Sequence, residues 1–196
     1  MNHLAHAYLS FGNPDLLVGN LIADSVRGKQ INDFREEIQN GIRLHRQIDE
    51  YTDKHQVVRQ LKDVFSNTAG RYNASFLDIS FDHFLALDES NKPSEGWDSF
   101  AQWCYIEIDK RLYELPDNFH QLFHYMKEDN WLYNYRYGWL IKKSFEKLTE
   151  RAAFLDNNIN VYKEFVDNYD IIRGGYEEFF PQLKNYVLNI LSKKSN

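Results

Sequence analysis

The sequence predicts an all-α protein, built as a single-domain, multi-helix bundle. Helix-capping residues recur throughout the chain, and the four prolines fall at predicted helix boundaries. Alternating β-branched segments bounded by turn dipeptides, the usual signature of strands, are nearly absent. No Pro/Gly/Ser-rich linker and no internal repeat divides the 196 residues, so we expect one domain over residues 1–196.

Capping residues define the first three predicted helices. Asn13-Pro14 is typical of an N-cap with proline at the first helical position, and Gly28 provides the C-terminal stop. A second helix is predicted over about 32–51. Asp53 is predicted to cap a third helix, whose apolar residues are Val57, Val58, Leu61 and Phe65.

The remaining helices follow in the same way. A fourth is predicted over 75–87, where apolar residues dominate. Pro93-Ser94 opens a fifth helix, which continues to Leu112, and Pro116 starts the next one. The region 131–190 is rich in aromatic residues and predicts several more helices.

Composition limits the functional class. Apolar residues make up 43% of the chain and aromatic residues 16%, which is enough for a folded core. No run approaches the roughly 20 apolar residues of a membrane span, and residues 1–6 lack the pattern of a signal peptide. The single cysteine, Cys104, excludes an intramolecular disulfide and fits a reducing compartment, so we expect a cytoplasmic protein without membrane association.

The formal charge of −6 is unevenly distributed. Residues 1–71 contain nine basic and nine acidic residues, whereas residues 72–196 contain 14 basic and 20 acidic residues. Nucleic-acid binders usually carry a basic excess, so nucleic acid is not an expected partner. A candidate basic rim for an acidic partner consists of Arg27, Lys29, Arg35, Arg43, Arg46, Arg59 and Lys62.

Four clusters of metal-capable side chains lie in the first 83 residues. A helix would align the imidazole of His45 with the carboxylates of Asp49 and Asp53, because residues i, i+4 and i+8 share one face. Imidazole with carboxylate suits Mn²⁺, Fe²⁺ or Zn²⁺, and carboxylate-rich sets favour Mn²⁺ or Mg²⁺. The clusters are His3 with His6; Asn20 with Asp24 and Arg27; His45 with Arg46, Asp49 and Asp53; and Asp82 with His83 and Asp78.

Each cluster also has a structural interpretation. The histidines of the first cluster could be exposed, or could be satisfied within the core. Asp24 could pair with Arg27, and His45 with Asp49 could form a solvated helix face. Four such clusters close together in sequence nevertheless favour a metal site assembled from several helices, which would activate water and neutralise phosphoryl charge.

Other enzyme classes lack their motifs in this chain. It has no G-x-x-x-x-G-K-[ST] phosphate loop and no G-x-G-x-x-G fingerprint. It also has no G-x-S-x-G elbow and no H-E-x-x-H zinc helix. Cys104 lies between two aromatic residues on a predicted amphipathic helix, which indicates a small buried side chain rather than a nucleophile.

Four segments share residue type, order and spacing with a known family. They are Asn2-x-Leu4-Ala5-His6, Gly19-Asn20-Leu21-x-Ala23-Asp24-x-Val26-Arg27-Gly28, Gly41-Ile42-x-x-His45-Arg46-x-Ile48-Asp49-x-x-Thr52-Asp53 and Asp82-His83-Phe84-Leu85. Weaker similarity follows at Trp131-Leu132, Tyr135-Arg136 and Phe180-Pro181. On these residues the chain resembles the bacterial acyl carrier protein phosphodiesterases over nearly its whole length.

The resemblance implies a helical fold distantly related to HD-type metal-dependent phosphohydrolases. It implies hydrolysis of the phosphodiester that joins 4′-phosphopantetheine to a serine of holo-acyl carrier protein, with a divalent metal, Mn²⁺ favoured. HD enzymes carry an adjacent His-Asp pair, whereas this chain has the reversed pair Asp82-His83. Relatives can also carry a second histidine two positions after His6, where this chain has Tyr8.

Residue chemistry and the resemblance together predict the metal ligands. The predicted ligands are Asp24, His45, Asp49, Asp82 and His83. Alternatively, Asp49 is the acceptor that orients the imidazole of His45. Mn²⁺ is the expected metal, with Mg²⁺, Fe²⁺ or Zn²⁺ as alternatives.

The same reasoning predicts catalytic roles. Arg46 or Arg27 would stabilise negative charge on the phosphoryl group. His6 would ligate the metal or protonate the departing seryl oxygen. The basic rim would guide docking of the acidic carrier protein. Two alternatives stay open: a phosphohydrolase of the same fold that acts on a nucleotide or another small phosphodiester, and a non-catalytic helical interaction module.

Overall fold

Every regular element of the described residues is a helix. The computed structural model describes residues 1–153, 155 and 160–194. Its α-helices are α1 (His3–Tyr8), α2 (Pro14–Ile22), α3 (Glu36–Lys54), α4 (Gln56–Leu61), α5 (Ser66–Ala69), α6 (Asn73–Leu87), α7 (Gly96–Asp109), α8 (Asp117–Glu128), α9 (Trp131–Asn134), α10 (Gly138–Arg151), α11 (Val161–Asp167) and α12 (Tyr169–Lys194). Short 3₁₀-helices span Ala23–Ser25, Gly28–Asp33, Lys62–Phe65, Gly70–Tyr72 and Leu112–Glu114. The predicted all-α class is confirmed, and the HD-like relationship stays a prediction.

Helix α6 lies at the centre of the core. Ten of its 15 residues are buried, so it is enclosed on nearly all sides rather than along a single stripe. It contacts α1, α10 and α12, among other elements. The buried apolar side chains of the described residues join into one hydrophobic cluster, which extends from Met1 to Val187. Polar residues on α6 therefore need partners inside the protein.

Helices α2 and α3 touch through two glycines. A Cβ atom at Gly41 would lie 2.7 Å from the carbonyl oxygen of Leu16 and 2.8 Å from Cα of Gly19. These are backbone atoms of α2, so a side chain at this contact would force the two helices apart. The glycine pair thereby brings the backbone of Asn20 against α3.

Helix α2 begins where the sequence predicts but ends earlier. The side chain of Asn13 accepts two backbone N–H bonds of 3.0 Å each, which confirms the predicted N-cap. The helix ends at Ile22 rather than near Gly28, because the chain enters a 3₁₀ turn and becomes extended at Val26. The earlier end places Asp24 in the turn instead of on the helix.

Two other boundary predictions are wrong. Asp53 does not cap a helix: it lies inside α3, and Nζ of Lys62 donates to its carboxylate at 2.8 Å. Pro181 lies inside α12 rather than at a boundary, and its missing N–H leaves the carbonyl of Glu177 without that helical hydrogen bond. Pro116 does precede a helix, as predicted, since it is the N-cap residue of α8.

The remaining predictions concern single features of the chain. Cys104 is buried within α7, as expected for a small core side chain. Helices α9 to α12 occupy the predicted helical region 131–190, of which residues 154 and 156–159 lie outside the described residues. Among the described helices, none combines the length and hydropathy that a bilayer span requires.

Candidate metal centre

The amino-terminal helices bring two histidines and a carboxylate together. Helix α1 carries His6, and α3 carries His45 followed one turn later by Asp49. Both histidines are buried, and Asp49 is half-buried. The spacing of His45 and Asp49 places them on one face of α3, as the sequence predicts.

The three side chains converge on a small volume, the His6/His45/Asp49 cluster. The imidazole rings are stacked, with centroids 3.9 Å apart and planes inclined by 14°. Nε2 of His6 lies 3.2 Å from Oδ1 of Asp49, and Nε2 of His45 lies 2.9 Å from Oδ2. One ligand-type atom from each residue lies within 4.8 Å of the other two. His3, the other histidine of the predicted pair, instead stacks on Trp131 with ring centroids 5.7 Å apart.

Asp24 lies at the exposed edge of this cluster. Its place in the 3₁₀ turn after α2 leaves the side chain 83% exposed, with Oδ1 3.4 Å from Nε2 of His45. Interaction with the His45 imidazole lowers the pKa of Asp24. Asp24 thus joins His45 and Asp49, as the sequence predicts.

The pKa values of the two histidines in the cluster are shifted in opposite directions. Burial and the facing ring of His45 lower the pKa of His6 to about 4, so His6 is neutral at neutral pH. Burial also opposes a charged His45, but the carboxylates of Asp24 and Asp49 outweigh it and raise the pKa of His45 to about 9. Burial alone would raise the pKa of Asp49, yet the two imidazoles hold it well below its usual range.

These donor atoms fit a divalent cation. Within the part of the chain that the structure describes, Nε2 of His6 and Nε2 of His45 are buried and make no hydrogen bond of good geometry, although the Asp49 carboxylate lies 3.2 and 2.9 Å from them. Buried polar atoms are normally paired, so two unpaired nitrogens beside a carboxylate indicate a missing partner. Two imidazole nitrogens with one or two carboxylates form a donor set that suits Mn²⁺, Fe²⁺ or Zn²⁺.

In the structure the predicted ligand Asp82 binds backbone groups of α1, and its role as a metal ligand stays a prediction. Its carboxylate is fully buried and accepts the backbone N–H groups of Leu4 and Ala5 at 2.7 and 3.1 Å. These are free N–H groups of the first turn of α1, so Asp82 stabilises that helix from α6. Because α1 has only six residues and carries His6, the carboxylate of Asp82 holds the helix that presents His6.

The structure also places His83 outside the cluster. Its Nδ1 donates to the carbonyl oxygen of Tyr135 at 2.7 Å, which leaves Nε2 to accept the hydroxyl proton of Tyr169 at 3.0 Å. Both ring nitrogens are therefore satisfied by protein groups. The apolar neighbours Phe81 and Phe84 are a sequence signal that the Asp82-His83 pair is buried. The partners of the pair could not be found from sequence, because they come from α1, from the residue after α9 and from α12.

The two predicted phosphate-binding arginines lie in the same region of the surface. Arg46 follows His45 on α3, is exposed, and its Nη2 donates to the carbonyl oxygen of Val26 at 3.5 Å. Arg27 is exposed in the segment that follows the Asp24 turn. Their role toward a phosphoryl group stays a prediction.

Asn20 contacts both histidines, which sequence reasoning missed. From sequence, Asn20 is predicted only to belong to a cluster of metal-capable side chains with Asp24. In the structure it is fully buried: its Oδ1 lies 2.9 Å from Nδ1 of His6, and its backbone oxygen lies 2.7 Å from Nδ1 of His45. A signal was present, because Asn20 is the polar residue inside the buried apolar segment of α2.

Comparison with known proteins assigns nearly the whole chain to one family. The family described as acyl carrier protein phosphodiesterase matches residues 1–183. The chain is 30% identical to the acyl carrier protein phosphodiesterase of Photorhabdus laumondii over 190 residues, 96% of each chain. It is also 30% identical to the enzymes of that name from Klebsiella pneumoniae strain 342, over 96% of this chain and 98% of the relative, and from Escherichia coli O6:H1, over 93% and 95%. No solved structure matches. The chain therefore belongs to the acyl carrier protein phosphodiesterase family.

Proposed function

We propose that this protein hydrolyses the phosphodiester between 4′-phosphopantetheine and a serine of holo-acyl carrier protein, releasing the apo-protein. Membership of the family supports the reaction and the substrate. The observation that carries the proposal is the convergence of Nε2 of His6, Nε2 of His45 and the carboxylate of Asp49. Phosphoryl transfer requires charge stabilisation at the phosphoryl oxygens, and such a cluster is suited to hold the cation that supplies it.

The proposed metal ligands are His6, His45 and Asp49, with Asp24 at the open edge. Mn²⁺ is the first metal to test, followed by Fe²⁺, Zn²⁺ and Mg²⁺. When bound, a divalent cation supplies Lewis-acid stabilisation of a phosphoryl oxygen and lowers the pKa of water. His6 serves as a ligand rather than as the general acid in this proposal, because its lowered pKa leaves it without a proton to donate at neutral pH.

Two arginines are proposed to position the phosphodiester. Arg46 and Arg27 are exposed. Arg46 directly follows His45 in the chain, and Arg27 lies three residues after Asp24. A guanidinium group offers paired N–H donors that match two phosphoryl oxygens. These side chains would orient the substrate and stabilise charge that develops on the phosphoryl group.

The basic rim is proposed to receive the acidic carrier protein. Arg27, Lys29, Arg43, Arg46 and Arg59 are exposed. Arg35 of the same rim pairs with Asp15, and Lys62 pairs with Asp53, so these two contribute less free charge. Contacts between exposed charges are screened by salt, so added salt should slow turnover mainly by weakening association.

Intact-protein mass spectrometry tests the reaction directly. The metal-stripped protein, reloaded with Mn²⁺, is incubated with holo-acyl carrier protein, and the mass of the carrier protein is followed. We expect loss of the phosphopantetheine group. His45→Ala should reduce turnover by more than about 100-fold, because it removes a metal ligand. The matched control is His124→Ala, since His124 is 73% exposed and lies outside the cluster.

Two outcomes would replace the proposal. Turnover of a generic phosphodiester such as bis(p-nitrophenyl) phosphate, without turnover of holo-acyl carrier protein, would indicate a phosphohydrolase with another substrate. Absence of both activities, together with a thermal stability that neither Mn²⁺ nor chelator changes, would indicate a helical interaction module.

A further inference from the structure

We infer that Asn20 is a positioning residue that holds His6 with its side chain and His45 with its backbone, so that Nε2 rather than Nδ1 of each ring faces Asp49. The inference rests on the proposed metal site and adds the residue that orients its two histidine ligands. Asn20 is fully buried on α2, between the helices that carry the two histidines.

The hydrogen bonds around the amide fix its orientation. Nδ2 of Asn20 donates to the backbone oxygen of His6 at 2.9 Å and to Oγ of Ser10 at 3.3 Å. A backbone oxygen can only accept, so the amide nitrogen must face it. Oδ1 of Asn20 is then the atom that lies 2.9 Å from Nδ1 of His6. Because Oδ1 can only accept, Nδ1 of His6 must carry the proton.

The backbone of Asn20 likewise requires a proton on Nδ1 of His45. Nδ1 of His45 lies 2.7 Å from the carbonyl oxygen of Asn20, and that oxygen can only accept. Nδ1 of His45 is therefore also a donor. A neutral imidazole carries one proton, so Nε2 of the neutral His6 ring has a free lone pair, and Nε2 of His45 is the nitrogen of that ring that can bind a cation once the ring is neutral. These are the two nitrogens that face Asp49.

The fold holds Asn20 in place. The contact between Gly19 and Gly41 brings the backbone of α2 close enough to α3 for the carbonyl of Asn20 to reach His45. Oγ of Ser10 lies on the other side of the amide and donates to the backbone oxygen of His6 at 3.0 Å. With every polar atom of its side chain engaged in the core, Asn20 has no alternative solvated position.

Loss of the Asn20 side chain has a specific consequence for His6. Without Oδ1 of Asn20, Nδ1 of His6 has no acceptor, whereas Nε2 still lies 3.2 Å from the carboxylate of Asp49. The proton then moves to Nε2, where it binds Asp49 and occupies the direction needed by a metal. Since groups that orient metal-binding histidines change affinity by about 10–100-fold, we expect a loss of that size.

Three substitutions test this role. Asn20→Leu removes the acceptor at similar volume. Asn20→Asp keeps an acceptor for Nδ1 of His6 and should preserve its tautomer. Ser10→Ala is the matched control, because it removes a partner of Asn20 within the same buried network but touches neither ring Nδ1. Folding of each variant is checked by circular dichroism and thermal unfolding.

Two readouts are independent of carrier-protein turnover. Two-bond ¹H–¹⁵N spectra of the metal-free protein at pH 7 report which nitrogen of His6 is protonated, and calorimetry with Mn²⁺ reports affinity. We expect His6 to be protonated at Nδ1 in the wild type, Ser10→Ala and Asn20→Asp, and at Nε2 in Asn20→Leu. Mn²⁺ affinity should fall by about 10–100-fold in Asn20→Leu and stay within about threefold of wild type in Ser10→Ala.

The outcomes separate this inference from the proposed function. A folded Asn20→Leu variant with an unchanged His6 tautomer and unchanged Mn²⁺ affinity would overturn it. If that variant does not fold, Asn20→Asp decides: a folded protein with His6 protonated at Nε2 would contradict the inference, and one protonated at Nδ1 would support it. If the wild type binds no divalent metal, the proposed function fails, but the tautomer measurement still decides the role of Asn20.

Discussion

Substitution Gly41→Ala tests whether the contact between α2 and α3 builds the metal centre. The added Cβ would lie 2.7 Å from the carbonyl oxygen of Leu16, whereas ordinary contacts begin at 3.4 Å. The two helices must therefore separate by about 0.7 Å, a difference taken directly from these distances. An equal shift would lengthen the 2.7 Å bond between Asn20 and His45 to about 3.4 Å, beyond a normal N–H···O bond.

The energetic effect combines three terms. Overpacking costs about 1–3 kcal/mol, and the weakened hydrogen bond costs about 1 kcal/mol. Alanine gains about 1 kcal/mol over glycine inside a helix. The net loss in the free energy of unfolding is about 2 kcal/mol, which lowers Tm by about 4–8 °C for a chain of this size.

Gly174→Ala provides the matched control. Gly174 lies inside α12, and a Cβ atom there would meet nothing within 4 Å. This variant should gain up to about 1 kcal/mol from helix propensity alone. Urea unfolding and Mn²⁺ calorimetry of both variants give the comparison. A Gly41→Ala protein as stable as Gly174→Ala, with wild-type Mn²⁺ affinity, would refute the claim that this glycine contact positions the site.

Three further predictions follow from other parts of the structure. His83→Ala should lower the free energy of unfolding by about 2 kcal/mol, because two buried hydrogen bonds are lost. It should leave Mn²⁺ affinity within about threefold of wild type. Loss of metal binding in the folded variant would instead show that His83 is a ligand. Mn²⁺ at 100 times its Kd should stabilise the protein by about 2.7 kcal/mol in thermal unfolding, and chelator should reverse the gain. Burial would raise the pKa of Asp88, but hydrogen bonds from Ser90, Asn91 and Tyr176 lower it. The stability from Asp88 is therefore present above its unfolded pKa near 4 and is lost as pH falls, so Asp88→Asn should cost about 1 kcal/mol at pH 7 and flatten the stability–pH curve in acid.

Local sequence predicts which segments form helices, but it does not always predict where those helices end. Asn13 and Pro116 act through hydrogen bonds and backbone angles of their immediate neighbours, so their effect is visible in the sequence. The end of α2 lies before the predicted stop at Gly28, in a 3₁₀ turn that places Oδ1 of Asp24 3.4 Å from Nε2 of His45. Asp53 has the chemistry of a cap, but α3 continues to Lys54 and the carboxylate of Asp53 instead accepts from Lys62. Local propensity alone did not determine either boundary.

The candidate site could likewise be predicted from sequence only in part. His45 and Asp49 could be predicted to share a face because four residues always make one turn of a helix. The partnership with His6 requires α1, α2 and α3 to pack together, and the contacts involved are that of Asp82 with α1 and that of Gly19 with Gly41 between α2 and α3. Sequence can indicate that Asp82 is buried, because its neighbours are apolar. It cannot indicate that the backbone N–H groups of Leu4 and Ala5 donate to the carboxylate.

The arrangement divides the site into a buried half and an exposed half with different expected effects. His6, His45 and Asn20 are buried and held by long-range contacts, so changes there should alter metal affinity first. Arg27 and Arg46 are exposed, so a protein-sized substrate can reach them. Their substitution should raise KM for the carrier protein in a salt-dependent way without changing Mn²⁺ affinity. If substitution of the arginines lowered Mn²⁺ affinity as much as substitution of the buried residues, this division would be contradicted. Exposed arginines that contact no ligand atom have no direct means of holding a cation.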